Sequence, residues 1–157
     1  MLSFRKSNIK DINLYFNWVN DTVVRKQSYS SEPITFKAHS EWFNRVINDD
    51  SCSMFVFIND SNEIIGQLRI QKTSKNESTI GISIDSNHRG KGYATEILLT
   101  GTKYFFLNNP SFIINAFIKQ KNLKSKYAFE KAGFIFKKSK IYENSNSFHY
   151  IKYNNEN

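Results

Sequence analysis

The chain has 157 residues, of which 39% are hydrophobic and 15% aromatic, and its formal net charge is +8. This length and composition exclude a disordered chain and predict one folded domain over residues 1–153, followed by a frayed tail at 154–157. The lysines are spread along the chain instead of forming one block, which argues against a nucleic-acid partner. An acidic membrane, a phosphorylated small molecule or a merely solvated lysine-rich surface stay open.

The cysteine and histidine content indicates the redox environment of the protein and whether it can bind a metal ion. The single cysteine, Cys52, cannot form an intrachain disulfide, which fits a reducing setting. No stretch approaches the roughly 20 apolar residues of a membrane-spanning helix. The three histidines and the cysteine show no spacing typical of metal ligands. We therefore expect a cytoplasmic protein without a membrane span and without a bound metal.

The front of the chain is predicted to hold one short strand and two helices. Residues 2–5 form the strand, and apolar residues at i, i+3, i+4 and i+7 place an amphipathic helix over about 8–19. The polar stretch 20–33 is predicted as a loop or a broken helix. Thr35 can cap the second helix, which ends at residues 49–51.

The middle of the chain is predicted to form three consecutive strands. They cover residues 53–58, 64–70 and about 78–85, and the polar segments 59–62 and 75–76 supply the turns between them. Strands joined by such short turns form an antiparallel meander.

The last third alternates between helices and strands. A helix over about 94–106 ends before Pro110, and a compact apolar strand follows at 112–118. Asn122 can cap a short helix that stops at Gly133, a residue suited to a left-handed C-terminal position. Two closing strands, 134–142 and 148–153, are predicted to form a hairpin over a polar turn at 143–147.

The most informative segment lies between the third meander strand and the following helix. Residues 85–96 read Asp-Ser-Asn-His-Arg-Gly-Lys-Gly-Tyr-Ala-Thr-Glu. A short basic turn with glycines can direct several backbone N–H groups to one point, and the start of the helix adds about half a positive charge. The segment therefore predicts a phosphate site, and more specifically a diphosphate site.

Two commoner phosphate motifs do not fit this segment. The Gly-x4-Gly-Lys-Ser/Thr pattern of a Walker A loop is absent from the chain. The dinucleotide fingerprint Gly-x-Gly-x-x-Gly starts at Gly90 and Gly92, but Thr95 occupies its third glycine. That fingerprint also belongs near the start of a parallel βαβ unit, and here the turn follows a meander.

The turn resembles the diphosphate-binding loop of the Gcn5-related N-acetyltransferase (GNAT) superfamily, whose signature is Gln/Arg-x-x-Gly-x-Gly/Ala. Arg89, Gly92 and Ala94 fill that signature. Asn122-x-x-Ser125, followed by Glu-Lys-Ala-Gly-Phe, resembles a second segment of the superfamily, and the order of elements is similar over nearly the whole chain. The resemblance implies an α/β (α+β) GNAT fold: a central mixed, mostly antiparallel sheet of about seven strands flanked by about four helices.

The resemblance also implies acetyl-CoA as co-substrate. Backbone groups of one strand would pair with the pantetheine arm, and the amides of the turn would hold the diphosphate. Asn122 would reach the pantetheine or thioester region, and this role is compatible with its being a helix cap. The implied coenzyme A contacts are Ile82, Ser83, Ile84, Arg89, Gly90, Lys91, Gly92, Tyr93, Ala94, Thr95, Asn122 and Ser125.

The catalytic positions depart from the superfamily pattern. Direct transfer to an amine needs a base or a water chain to remove a proton, and the leaving thiolate benefits from an acid. The usual acid is a tyrosine where this chain has Phe129, and Tyr127 is the nearby candidate to replace it. The usual glutamate is replaced by Thr79. Glu77 lies on the same strand face and is the candidate base, acting through water, unless it is only a solvated turn residue.

Residues in the front half hint at the acceptor. Arg25, His39 and Trp42 have a spacing similar to that of acetyltransferases acting on 4-amino-sugar nucleotides in pseudaminic-acid and related pathways. The resemblance suggests that Arg25 meets a diphosphate, Trp42 stacks on a sugar or base, and His39 serves as a base, with Glu77 also at the substrate. The alternative is that the histidine and tryptophan are core residues and the arginine a surface residue.

The leading hypothesis is therefore an acetyl-CoA-dependent N-acetyltransferase whose acceptor is the amine of a nucleotide-linked amino sugar. A protein N-terminus, as in ribosomal-protein acetyltransferases, is the second acceptor, since residues 92–96 also resemble the loop exit of those enzymes. A non-catalytic acyl-CoA-binding module is the third hypothesis, suggested by Phe129 and Thr79. The sequence is compatible with a homodimer.

Overall fold

The computed structural model describes residues 1–155, and within them the chain forms seven strands and five α-helices. The strands are β1 Ser3–Lys6, β2 Cys52–Ile58, β3 Ile64–Lys72, β4 Glu77–Ile84, β5 Ile113–Lys119, β6 Ile135–Tyr142 and β7 Ser145–Lys152. The α-helices are α1 Ile12–Val19, α2 Thr22–Gln27, α3 Phe36–Ile47, α4 Tyr93–Asn108 and α5 Leu123–Lys131. Two short 3₁₀ turns cover Ile9–Asp11 and Ser86–His88.

All seven strands belong to one sheet in the order β1-β2-β3-β4-β5-β7-β6. Neighbouring strands are antiparallel except for β4 and β5, which are parallel. The predicted mixed, mostly antiparallel sheet and the meander of β2, β3 and β4 are thus confirmed. The parallel pair is short: it runs from Glu77 opposite Ile113 to Thr79 opposite Asn115 and stops there.

Helices cover both faces of the sheet. Helices α4 and α5 bury Ile97, Phe105 and Phe129 in a large core against the strands. On the other face, a smaller core joins α1 and α3 to β2. Its fully or nearly fully buried residues are Tyr15, Trp18, Phe43, Val46, Cys52, Met54 and Val56. Strand residues therefore alternate between the two cores, as the two-residue period of a strand requires.

Several predicted helix ends are confirmed. The Thr35 side chain accepts a hydrogen bond from the Ala38 amide and starts α3, and Asn122 accepts from the Ser125 amide and starts α5. Gly133 follows α5 with φ of 89°. The stretch predicted as a loop or broken helix contains α2, whose first amides are capped by Asp21.

The predicted turn of the closing hairpin is wrong. Strand β7 begins at Ser145, three residues before the predicted start, and Glu143 and Asn144 alone form the turn, with φ of 46° and 63°. Two consecutive left-handed residues are what a two-residue hairpin needs, because its twist then matches that of the strands. Of the predicted tail, Asn154 donates a hydrogen bond to the Pro110 carbonyl, and residues 156–157 lie outside the described part.

Within residues 1–155, no helix has both the length and the apolar character that crossing a membrane requires.

An ion pair at the start of the chain gives a pH-dependent contribution to stability. Arg5 donates two hydrogen bonds of 2.8 Å to the two carboxylate oxygens of Asp11, and the Asn8 amide donates a third. Burial works to raise the pKa of Asp11, but these bonds outweigh it and hold the pKa below its ordinary value. A depressed carboxyl pKa stabilises the fold above the unfolded-state pKa, and the stability is lost as the pH falls through the folded-state pKa.

Asp11→Asn should therefore lower the free energy of unfolding at pH 7 by about 1–3 kcal/mol, because it replaces charge-assisted bonds. Urea denaturation measures the free energy of unfolding at pH 7 and at pH 3.5. The decrease in this free energy from pH 7 to pH 3.5 should be smaller for Asp11→Asn than for the wild type. Asp60→Asn, which removes an exposed partner of the terminal amine, is the control and should change neither value appreciably. Equal acid sensitivity in Asp11→Asn and wild type would contradict the assignment.

Candidate active site

The sheet opens between β4 and β5. Their pairing ends at Thr79 and Asn115, and the rest of β4, from Ile80 to Ile84, pairs only with β3. We call this gap the β4–β5 opening and its closed end, at Thr79 and Asn115, the apex. The unpaired edge of β4 extends for about 17 Å at the usual rise per residue. An exposed strand edge of this kind can bind an extended molecule by strand addition.

The mouth of the opening is formed by the glycine turn and the start of α4. Gly90 and Gly92 have φ of 76° and 80°, the left-handed region, and a Cβ atom at either would meet nothing within 4 Å. Gly92 is the N-cap of α4 and supplies no side-chain cap. The first amides of a 16-residue helix therefore begin at an open, glycine-lined surface beside the exposed Lys91.

Two contacts to the front of the chain brace this turn. The Arg89 guanidinium contacts Asp21, the N-cap residue of α2, at 2.7 Å. The Trp18 indole donates at 2.9 Å to Asp85, whose carboxylate also caps the Ser86–His88 turn. Burial works to raise the pKa of Asp21, but the Arg89 guanidinium together with the Val23 and Val24 amides outweighs it and lowers that pKa. The Arg89 side chain thus holds the loop in place, and its predicted contribution to diphosphate binding is through the backbone.

The predicted coenzyme A residues lie around the opening. Ile82, Ser83 and Ile84 are on the unpaired edge of β4, and residues 89–95 form the mouth. Because β4 and β5 are parallel, Asn122, just after β5, follows the same end of the sheet as the turn. The Asn122 side chain caps α5 by accepting from the Ser125 amide at 3.3 Å, so its reading as a helix cap is confirmed.

A polar chain of three residues lies at the apex. Asn115 donates through Nδ2 to the Glu77 carboxylate and, at 3.0 Å, to the Ser78 carbonyl. His149 Nε2 lies 2.7 Å from Asn115 Oδ1. Asn115 and His149 were not among the predicted site residues. The available signal for Asn115 was an amide within the apolar strand 112–118, where a polar group needs partners.

Stacked rings continue the same face of the sheet beyond the apex. The rings of Phe117 and Tyr142 are 4.1 Å apart at 9°, and those of Phe117 and His149 are 4.6 Å apart at 24°. The Tyr29 ring meets Tyr142 edge-on, and the Tyr29 hydroxyl bonds Ser147 at 2.7 Å. We call Tyr29, Phe117, Tyr142 and His149 the aromatic wall.

Lysines surround the aromatic wall. Lys140 Nζ lies 5.3 Å from the centre of the Phe117 ring, and Lys119 Nζ lies 5.6 Å from that of Tyr29. Lys138 is directly opposite His149 across the β6–β7 pair. This face therefore presents stacking surfaces together with positive charge.

Two predicted acceptor residues use their side chains for bonds within the protein, which corrects their proposed roles. His39 is 2% exposed, and its Nε2 bonds the Ile12 carbonyl at 2.9 Å, so it ties α3 to α1. The Arg25 guanidinium donates to the carbonyls of Ser30 and Glu32 and thereby holds its own loop. Both side chains are committed to internal bonds, and the core reading of His39 is the one the geometry supports.

The remaining predicted residues divide between surface and core. Trp42 is half-buried with the Arg69 guanidinium 5.2 Å above its ring. Tyr127 is 55% exposed on α5, where Lys126 lies beside its ring. Phe129, at the usual tyrosine position, is buried against Phe134. Within residues 1–155, Tyr127 makes no hydrogen bond and no ring contact with Glu77 or Asn115.

No group of three or more histidine, cysteine, aspartate or glutamate side chains in the described part of the chain is arranged to hold a metal ion.

Comparison with known proteins identifies a family and relatives that are similar to this chain. The family described as "Acetyltransferase (GNAT) domain" matches residues 2–135. A curated relative from Bacillus subtilis (strain 168), the SPbeta prophage-derived uncharacterized N-acetyltransferase YokL, is 25% identical over 136 residues, which cover 85% of this chain and 76% of that protein.

Solved structures share the fold at low sequence identity. A spermidine N-acetyltransferase from Vibrio cholerae, in complex with CoA and spermine, superposes with a TM-score of 0.88 at 20% identity, covering 98% of this chain and 95% of that one. The aminoglycoside acetyltransferase AAC(6')-Ib, in complex with coenzyme A and kanamycin, gives a TM-score of 0.83 at 17% identity with the same coverage.

Proposed function

The chain belongs to the GNAT acetyltransferase family, and we propose that it transfers the acetyl group of acetyl-CoA to a primary amine carried by a nucleotide-linked amino sugar. The observation that carries the acceptor half of this proposal is the lysine-flanked aromatic wall next to the apex of the β4–β5 opening. The donor half rests on the opening itself and on the glycine turn at its mouth.

The donor fits the opening as an extended molecule. Its diphosphate would meet the uncapped amides at the start of α4, where the helix dipole favours an anion. From there the pantetheine arm would run along the unpaired edge of β4, through Ile84, Ser83 and Ile82, toward the apex. The acetyl group would then lie close to Glu77, Thr79 and Asn115, at the closed end of the gap.

The charge near the wall favours an anionic carrier for the amine. Spermine and kanamycin, present in the two solved structures, are polycations, and the positive charge of Lys119, Lys138 and Lys140 would repel such molecules. A nucleotide offers a flat base that stacks on aromatic rings and phosphates that pair with lysines. The net charge of +8 acts in the same direction at long range.

Chemistry at the apex requires few groups. The neutral amine attacks the thioester carbon, the new C–N bond forms and the C–S bond breaks. Glu77 takes the amine proton, directly or through one water, and the leaving thiolate takes a proton from solvent, because Phe129 cannot donate one. A backbone N–H of the unpaired β4 edge would stabilise the developing oxyanion, and holding the two reactants together supplies much of the remaining rate.

The proposal is tested by following thiol release from acetyl-CoA with four amines: a UDP-4-amino-4,6-dideoxy sugar, the same amino sugar without its nucleotide, spermidine and an N-terminal peptide. We expect kcat/KM for the nucleotide sugar to exceed the values for the free sugar and for spermidine at least 100-fold. Lys140→Gln should lower kcat/KM for the nucleotide sugar and leave the value for the free sugar unchanged.

The other outcomes point to defined alternatives. Turnover of the peptide alone would support an N-terminal acetyltransferase. A higher kcat/KM for spermidine than for the nucleotide sugar would contradict the proposal that the acceptor amine is carried by an anionic molecule. Tight coenzyme A binding without turnover of any amine would indicate an acyl-CoA-binding module.

A further inference from the structure

We propose that Asn115 and His149 form a positioning pair that orients the carboxylate of Glu77 toward the acceptor amine. The inference rests on the proposed function, because it assigns Glu77 as the base of that reaction. The inference goes beyond the proposed function by giving a role to two residues on strands that are remote in sequence from Glu77. The pair brings β5 and β7 into a site that otherwise belongs to β4.

The hydrogen-bond partners determine how the Asn115 amide is oriented. The Ser78 carbonyl oxygen can only accept, so the Asn115 atom that faces it must be the NH₂ group. The same NH₂ group donates to Glu77 Oε2. Asn115 Oδ1 therefore points the other way, toward β7, where it meets His149 at 2.7 Å.

This orientation also determines the tautomer of His149. Because Asn115 Oδ1 can only accept, Nε2 of His149 carries the proton and donates it. Nδ1 is buried and has no hydrogen-bond partner within residues 1–155. A second proton on the ring would place a buried N–H group there without an acceptor, which is costly. The neutral, Nε2-protonated ring is therefore the form that fits this site.

The surroundings of the pair keep it rigid and neutral. Asn115 is 8% exposed and His149 is 7% exposed, and the imidazole is stacked on Phe117. Burial, together with the nearby lysines of β6, lowers the pKa of His149, and the carboxylate of Glu77 opposes this to a smaller extent. The titratable or charged groups facing the ring are Lys137, Lys138 and Lys140 of β6, Glu77 of β4 and, through the stacked rings, Tyr142.

The consequence for the reaction concerns the other oxygen of Glu77. With Oε2 held by Asn115, Oε1 makes no hydrogen bond within the described residues. The carboxylate therefore has one anchored oxygen and one oxygen ready to accept a proton. Removing the donor from His149 leaves the buried Asn115 Oδ1 without its partner, so that only the Ser78 and Glu77 bonds hold the amide, and the direction of Glu77 is then less firmly fixed. The expected loss is in kcat, since the binding of acetyl-CoA does not depend on this carboxylate.

The test compares His149→Phe with His149→Gln. His149→Phe keeps a flat ring on Phe117 and removes the donor, and it should lower kcat about tenfold at unchanged KM for acetyl-CoA. His149→Gln restores an N–H donor and should recover most of kcat. In a Glu77→Gln background, His149→Phe should cause no further loss, because a residue that acts only through Glu77 has nothing left to position.

The matched control is His39→Phe, another buried histidine bonded to an acceptor-only oxygen. It should lower the melting temperature and leave kcat unchanged. A wild-type kcat in His149→Phe, or an equal fold-loss in the Glu77→Gln background, would overturn the positioning role. Rates are measured with whichever amine the wild type acetylates fastest, so a wrong acceptor does not affect the comparison.

Nitrogen-15 NMR separates this inference from the proposed function. His149 should show a neutral ring protonated at Nε2 at pH 6.5, and Asn115→Ala should abolish the slowly exchanging Nε2 proton. If the wild type acetylates no amine, the proposed function fails. The Asn115–His149 pair is overturned independently if the His149 ring is protonated at Nδ1, or if Asn115→Ala leaves the Nε2 proton unchanged.

Discussion

Replacing Glu77 by glutamine should lower kcat by about 10²–10³-fold, the scale of a lost general base. Glutamine has nearly the shape of glutamate, and its carbonyl oxygen can still accept from the Asn115 NH₂ group. The hydrogen bonds at the apex are thus kept, and the change removes mainly the capacity to take a proton. Calorimetry should show unchanged affinity for coenzyme A, since the proposed donor site uses the β4 edge and the α4 amides and not this carboxylate.

Glu130→Gln is the matched control for this change. Glu130 lies on α5, accepts a hydrogen bond from Tyr150 at 3.1 Å, and belongs to the opposite face of the sheet from the apex. Its replacement should leave kcat unchanged, while the pKa of Tyr150, raised to about 12 by burial and by Glu130, should fall. A Glu77→Gln variant with wild-type kcat would mean that water alone removes the amine proton.

Sequence reasoning succeeded where structure is determined locally. The caps at Thr35 and Asn122 are short-range hydrogen bonds between residues three apart, and a single side-chain type announces each of them. The glycine turn at residues 90–92 is local in the same sense, because left-handed backbone favours glycine. The caps and the glycine turn next to the proposed donor site are therefore features that the sequence predicts well.

The proposed acceptor half of the site depends on contacts between distant residues. Glu77, Asn115 and His149 come together only because β5 lies between β4 and β7, an arrangement that no local pattern encodes. The predicted start of β7 at residue 148 was also wrong, and it left Ser145 and Ser147 outside the strand. Without strand order, His149 is one polar residue in a strand.

The misassigned acceptor residues show the same limit from the other side. His39 and Arg25 carry suitable functional groups, but each uses them to hold the helices and the loop of the front half. A polar side chain that ties two elements together and one that binds substrate look alike in a sequence. They differ only in which partner the fold brings near: the Ile12 carbonyl for His39, and the Ser30 and Glu32 carbonyls for Arg25.

Replacing Gly92 by glutamate should weaken coenzyme A binding at least tenfold more than replacing it by glutamine. Gly92 has φ of 80°, so both variants carry the same backbone strain of about 1–2 kcal/mol. Only glutamate adds a negative charge beside the amides proposed to hold the diphosphate. Like charges about 4 Å apart near a protein surface repel by about 4 kcal/mol, and the exposure of this turn reduces that value.

Gly92→Lys completes the comparison, because it has the same strain and the opposite charge. Calorimetry with coenzyme A should rank the affinities Lys above Gln above Glu, whereas pantetheine, which lacks the diphosphate, should bind all three variants alike. Gly133→Gln is the control for strain alone: Gly133 has φ of 89°, and the neutral replacement should lower the melting temperature without changing the affinity for coenzyme A. Equal affinities for coenzyme A in the Glu and Lys variants would move the diphosphate away from the start of α4. The β4 edge would then be the remaining support for the donor site.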